Sequence, residues 1–153
     1  MGVLVYVHVA LAVVAIPLAM IDLREHRLPD RLTLPLWGGS VVLSQVAREQ
    51  GLALEQAVDG VVASAIAVLV LWLGAEAPGK PLGFGDVKLG GALSVQMGWY
   101  GIEWAVWGLA VAVVFGGMWA LWSMSRGHIG PRDSIPFGPW MLIGAIVVLL
   151  RVG

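Results

Sequence analysis

The sequence predicts an all-α, polytopic membrane protein with about six transmembrane helices, organised as a single transmembrane domain over residues 1–153. Three observations carry this prediction. Hydrophobic residues make up 59% of the chain and charged residues only 12%, against about 45–50% and about 25% in soluble domains. Mean hydropathy is +0.87, and the few charges gather in short clusters between apolar runs. Those runs are continuous instead of alternating, which favours helices over a transmembrane barrel.

The first run, Val3–Ile21, holds 19 residues, enough to cross about 30 Å of hydrocarbon as a helix. It has no preceding Lys or Arg and is long for the apolar part of a secretory signal, so it reads as a retained span. Further runs cover Leu32–Ala47, Val58–Leu73, Leu89–Trp99, Ile102–Met124 and Pro136–Leu150. From Leu89 to Trp122 the only charge is Glu103. A single helix over that stretch would be about 51 Å long, well beyond the bilayer core. The glycines of "MGWYG" (Met97–Gly101) predict a break there and two spans. Leu32–Ala47 and Leu89–Trp99 are short for spans, so tilt, interfacial placement or local bilayer thinning is expected of them.

Basic residues orient the chain. With six spans, Arg24, Arg27, Arg31, Lys80, Lys88, Arg126 and Arg132 fall on one side, and only Arg48 and Arg151 on the other. Merging the disputed pair of spans would give six against three. Lys and Arg accumulate on the cytoplasmic side, so both termini are expected outside, in a multi-pass protein of the cytoplasmic membrane. Trp37, Trp99, Trp104, Trp122 and Trp140 fall near proposed span ends, as interfacial anchors do. A net charge of −1 provides no basic patch for nucleic acid, so the lipid bilayer is the expected surroundings. Without cysteine there is no disulfide, no thiolate metal site and no catalytic thiol. His8, His26 and His128 lack metal-ligand spacing, so no metal and no cofactor are assigned. The oligomeric state is not legible in the sequence.

Among ten acidic residues, Glu25, Asp30, Glu49, Glu55, Glu76 and Asp133 read as solvated loop charges, and Asp59 and Glu103 as interfacial ones. Asp22 and Asp86 differ, because each sits at the cytoplasmic edge of an apolar run. Taken singly, Asp22 is an ordinary helix-end carboxylate beside Arg24. Asp86, in "LGFGDVKLGG" (Leu82–Gly91), is equally an N-cap for a helix starting near Val87. Gly83 and Gly85 before it permit close approach of another chain. Taken together, two carboxylates that meet would share a proton, one member activating water and the other polarising a peptide carbonyl. The positive end of the helix starting near Val87 favours Asp86 as the ionised member. Lys88 either tunes the pair, binds substrate or is a plain interfacial charge.

These residues resemble a known family. "GFGDVK" (Gly83–Lys88) is similar to the GxGD motif of membrane aspartic peptidases, with the lysine typical of type IV prepilin peptidases. "DLREHRLPDRLTLP" (Asp22–Pro35) resembles the first-aspartate motif of those enzymes, matched at Asp22, Arg27, Pro29, Asp30 and Thr33. "IPFGP" (Ile135–Pro139) resembles the element that starts their last span. The resemblance covers nearly the whole chain. It implies an aspartic endopeptidase in which Asp22 and Asp86 cleave basic leader peptides from prepilin-like proteins at the cytoplasmic face. It further implies that Gly83 and Gly85 admit substrate or a partner helix, and that Pro136 and Gly138 shape a groove or broken helix near the pair. "IPFGP" reads equally as a simple helix start with proline in the first turn. Larger members carry paired CxxC motifs associated with N-methylation. With no cysteine, this chain resembles the short, peptidase-only form.

Three other readings stand beside this one. A small proton or ion transporter would place acids deep within its spans. A non-catalytic pilus-assembly protein would keep the fold without the chemistry. A GxGD protease that cuts transmembrane helices differs only in substrate.

Overall fold

The computed structural model describes residues 13–14, 16–24, 30–77, 82–128, 130 and 136–152. Among these residues every regular element is a helix: α1 over residues 16–24, α2 Asp30–Glu49, α3 Leu54–Glu76, α4 Phe84–Gly98, α5 Ile102–Ser125 and α6 Gly138–Val152. Most of the first apolar run lies outside the described residues. The break expected at "MGWYG" is present. Helix α4 ends at Gly98, and Gly101 takes φ +126° before α5 begins at Ile102. That backbone angle is one that L side chains avoid, so glycine is what lets the chain turn there.

Helices α3 and α5 are each long and apolar enough to cross a membrane, and α6 is a shorter apolar helix. Their packing is sorted by size. The buried stripe of α3 is Ala57, Gly60, Ala63, Ser64, Ala67, Leu71 and Ala75, and that of α5 is Ala105, Gly108, Ala112, Gly116, Ala120 and Ser123. Apart from the adjacent Ala63 and Ser64, the positions recur every three or four residues, so one face of each helix is nearly smooth. The large side chains point outward: Val62, Ile66, Leu69 and Trp72 on α3, and Trp107, Phe115, Met118 and Leu121 on α5. A water-soluble domain buries such residues, whereas helices packed in lipid gain by close backbone approach over small residues.

Helix α4 is the centre of the bundle and packs on α2, α3, α5 and α6. From Gly85 to Trp99 every residue but Lys88 is buried. This short helix is therefore the core of the bundle. Glycines make that position possible. A methyl group on Gly98 would stand 2.7 Å from the Ala63 Cβ and 2.8 Å from the Asp59 carbonyl oxygen, and one on Gly90 would run into Leu71 and Met141.

Of the expected membrane anchors, one is internal and another partly so. Trp99 is 1% exposed, and its indole N–H donates to Ser44 Oγ at 3.1 Å. Trp37, half-buried, donates to Ser64 Oγ at 2.9 Å. Indoles with a serine within reach can be buried without stranding the N–H. Trp122 stays exposed at the end of α5, with the Arg126 guanidinium 5.5 Å from its ring.

Candidate active site

The site lies where the first turns of α4 and α6 meet α1 at Asp22. Asp22 comes from α1 and is 3% exposed, and Asp86 comes from α4 and is 7% exposed. Helix α4 starts three residues earlier than the sequence suggested. Gly83 is its N-cap and Asp86 is the third residue of the first turn. Asp86 is thus not the cap. Its Oδ2 reaches back to accept the Gly83 N–H at 3.1 Å. This is half of a capping box, since glycine has no side chain to complete the other half.

Asp22 makes the corresponding contact on another helix. Phe137 accepts the first backbone bonds of α6, from Trp140 and Met141, which leaves the Gly138 N–H without a partner inside the helix. That N–H donates to Asp22 Oδ2 at 2.9 Å, in a buried bond across 116 residues. Pro139, next in the chain, occupies a first-turn position where its lack of an N–H costs nothing. Each aspartate thus meets the positive end of a helix. The helix-end argument that singled out Asp86 as the ionised member therefore applies equally to Asp22.

The two carboxylates are close enough for the charge of Asp22 to act on Asp86. Asp86 Oδ1 is buried and has no hydrogen-bond partner among the described residues. A buried carboxylate oxygen left in that state is costly, and such an atom marks a place for a water or a substrate group.

The other sequence candidates fall at varying distances from this pair. Gly83 is exposed and Gly85 buried, flanking Phe84 at the start of α4. Lys88 is half-buried, two positions beyond Asp86, and side chains two apart on a helix do not share a face. Thr33 is fully buried on α2. Pro136 is buried just before α6. Arg27 and Pro29 lie outside the described residues, as does the side chain of Asp30, the first residue of α2. Among the described residues no three His, Cys, Asp or Glu side chains group as metal ligands would. Two contributors were not foreseen: the Gly138 amide as a donor to Asp22, and Leu89, whose Cδ2 would stand 3.5 Å from a Cβ at Gly138. The glycine beside proline in "IPFGP" was the available signal.

Comparison with known proteins agrees with the family resemblance. The model of the type IV leader peptidase family matches residues 9–126. The chain belongs to this family. Its relatives include the prepilin leader peptidase/N-methyltransferase of Dickeya chrysanthemi, 36% identical over 142 residues, which covers 90% of this chain and 48% of that protein. The protein of the same name from Burkholderia pseudomallei (strain K96243) is 34% identical over 135 residues, or 86% of this chain and 42% of the relative. That of Escherichia coli (strain K12) is 34% identical over 139 residues, 86% of this chain and 57% of the relative. The chain thus spans about half the length of the curated relatives it matches. No solved structure matches it.

Proposed function

We propose that this leader-peptidase family member is an aspartic endopeptidase that removes the leader peptide from prepilin-like proteins. The observation that carries the reading is the juxtaposition of two buried carboxylates, Asp22 and Asp86, with one oxygen, Asp86 Oδ1, left open.

Hydrolysis on this pair runs as general acid–base catalysis. The ionised carboxylate takes a proton from water, and the water oxygen bonds to the scissile carbonyl carbon. The protonated carboxyl gives its proton to the carbonyl oxygen, forming a neutral tetrahedral diol. Collapse breaks the C–N bond. A diol proton returns to the pair, the leaving nitrogen takes another, and the products are a carboxyl terminus and a free amine.

In this reading the enzyme is a multi-pass protein of the cytoplasmic membrane with six spans. Both termini are outside and the dyad is at the cytoplasmic face, in keeping with the seven-to-two division of basic residues. Basic leader peptides would meet that face. With no cysteine in the chain, we assign it peptidase activity without N-methylation. A translocating role is disfavoured because Asp86 occupies the first turn of its helix, not a span centre.

Co-expression with a candidate prepilin tests the proposal. Wild type should yield trimmed product, and Asp22→Asn and Asp86→Asn should each leave the precursor intact. Unchanged trimming in both variants would overturn it. Mass spectrometry of the mature N-terminus should show an unmethylated residue.

A further inference from the structure

We propose that Gly138 is a positioning residue for the dyad, its backbone N–H fixing the Asp22 carboxylate and its missing side chain making room for it. The inference rests on the dyad reading above and goes beyond it. It assigns the placement of a carboxylate on α1 to one amide at the start of α6.

Two independent features of the structure meet at this residue. The first is the hydrogen bond. Gly138 is the first residue of α6, its N–H is one of the donors that a helix start cannot satisfy internally, and Asp22 Oδ2 accepts it at 2.9 Å inside the protein. A bond from a backbone amide to a carboxylate is of the stronger, charge-assisted kind and is directional. It therefore selects one rotamer of Asp22. The second feature is steric. A Cβ built on Gly138 would stand 2.9 Å from Asp22 Oδ2 and 3.5 Å from both Asp22 Cγ and Leu89 Cδ2. The Leu89 distance is ordinary van der Waals contact, so the only group that would have to move is the Asp22 carboxylate. Aspartate has a short side chain, and a buried one cannot swing clear without leaving the Gly138 amide.

Other tight glycines behave differently. A Cβ on Gly144, six residues along the same helix, would collide with the Gly108 backbone, a contact between α5 and α6 that involves no aspartate. Gly144 therefore serves as the structural comparator. Its substitution perturbs helix packing, whereas substitution of Gly138 perturbs the geometry of the pair.

The test measures kcat, KM and thermal stability of purified full-length Gly138→Ala and Gly144→Ala in detergent, on a prepilin-like peptide, beside Asp22→Asn. Misplacing a reacting group by about 1 Å costs about 100-fold in rate. Gly138→Ala should therefore lose at least about 10-fold and up to about that much in kcat, with KM and melting temperature held. Gly144→Ala should melt earlier, with kcat per folded molecule retained. A Gly138→Ala enzyme with wild-type kcat, beside an inactive Asp22→Asn, overturns the positioning role alone. An active Asp22→Asn overturns the dyad beneath it. A second measurement does not need the alanine variant to fold. Each phenylalanine in the chain, Phe84, Phe115 and Phe137, precedes a glycine, so labelling with carbonyl-13C phenylalanine and 15N glycine leaves three filtered amide signals. Asp22→Asn should move the Gly138 amide proton upfield, as a donor does when its charged acceptor becomes neutral. Three unmoved signals would overturn the proposal.

Discussion

Asp22 and Asp86, 64 positions apart in the chain, are held by two glycine amides, Gly138 N–H on one and Gly83 N–H on the other. Both carboxylates are withdrawn from solvent, and the charge of one acts on the other. In the proposed dyad, removal of either should abolish the shared proton. Asp22→Asn and Asp86→Asn should each lower kcat by on the order of 10²–10⁴-fold. The double variant should be scarcely worse than either single one, because the pair acts as a unit. A peptide-cleavage assay on the purified proteins checks both statements.

A dyad with one ionised and one protonated member has a bell-shaped pH dependence. Lowering pH protonates the base, and raising pH strips the proton from the acid, so kcat should fall on both sides. Both apparent constants belong to the pair and not to either residue. The pH–rate profile in detergent gives the result. A profile that is flat over the stable range would argue against carboxylate catalysis.

Gly83 contributes its N–H, and its φ of −83° is accessible to any residue. A Cβ there would lie 3.5 Å from Asp86 Oδ2, an ordinary contact. Gly83→Ala keeps the donor, whereas Gly83→Pro removes it at a compatible φ. The proline variant should therefore lose far more activity than the alanine variant. Comparison of kcat for the two decides whether the amide or the small size of Gly83 matters.

Close packing around α4 predicts uneven tolerance of alanine. Gly98→Ala drives a methyl group against Ala63, Gly60 and a backbone carbonyl, and overpacking of this kind costs about 1–3 kcal/mol. Gly117 on α5 has nothing within 4 Å of the same position. Gly117→Ala should be neutral or stabilising by up to about 1 kcal/mol from helix propensity. Thermal unfolding in detergent should rank Gly98→Ala below wild type and Gly117→Ala at or above it.

Much of this architecture was legible beforehand. Continuous apolar runs located the helices, and the two glycines around Trp99 located the break between α4 and α5. Both are local properties of the chain, set by hydropathy over a helix length and by the few residues that accept a positive φ. Trp99 shows where local reading stops. A tryptophan at the end of an apolar run looks like an interfacial anchor, yet it is buried because Ser44, 55 residues earlier, accepts its N–H. The role of Asp86 shifted for a similar reason. Its glycine neighbours suggested a cap at Asp86 itself, but the helix starts at Phe84 and the carboxylate turns back to Gly83.

The sequence by itself determined the helical class, the order and rough extent of the helices, and the two aspartates that stand apart from the other acids. Hydropathy, glycine placement and charge position are written along the chain, and each acts over a few residues. Only the tertiary structure decided that α4 is the core, that Asp86 keeps one oxygen open, and that Asp22 is held from the far end of the chain. Those outcomes depend on which smooth helix faces find each other, and close approach between them is a property of pairs of surfaces, not of any one segment.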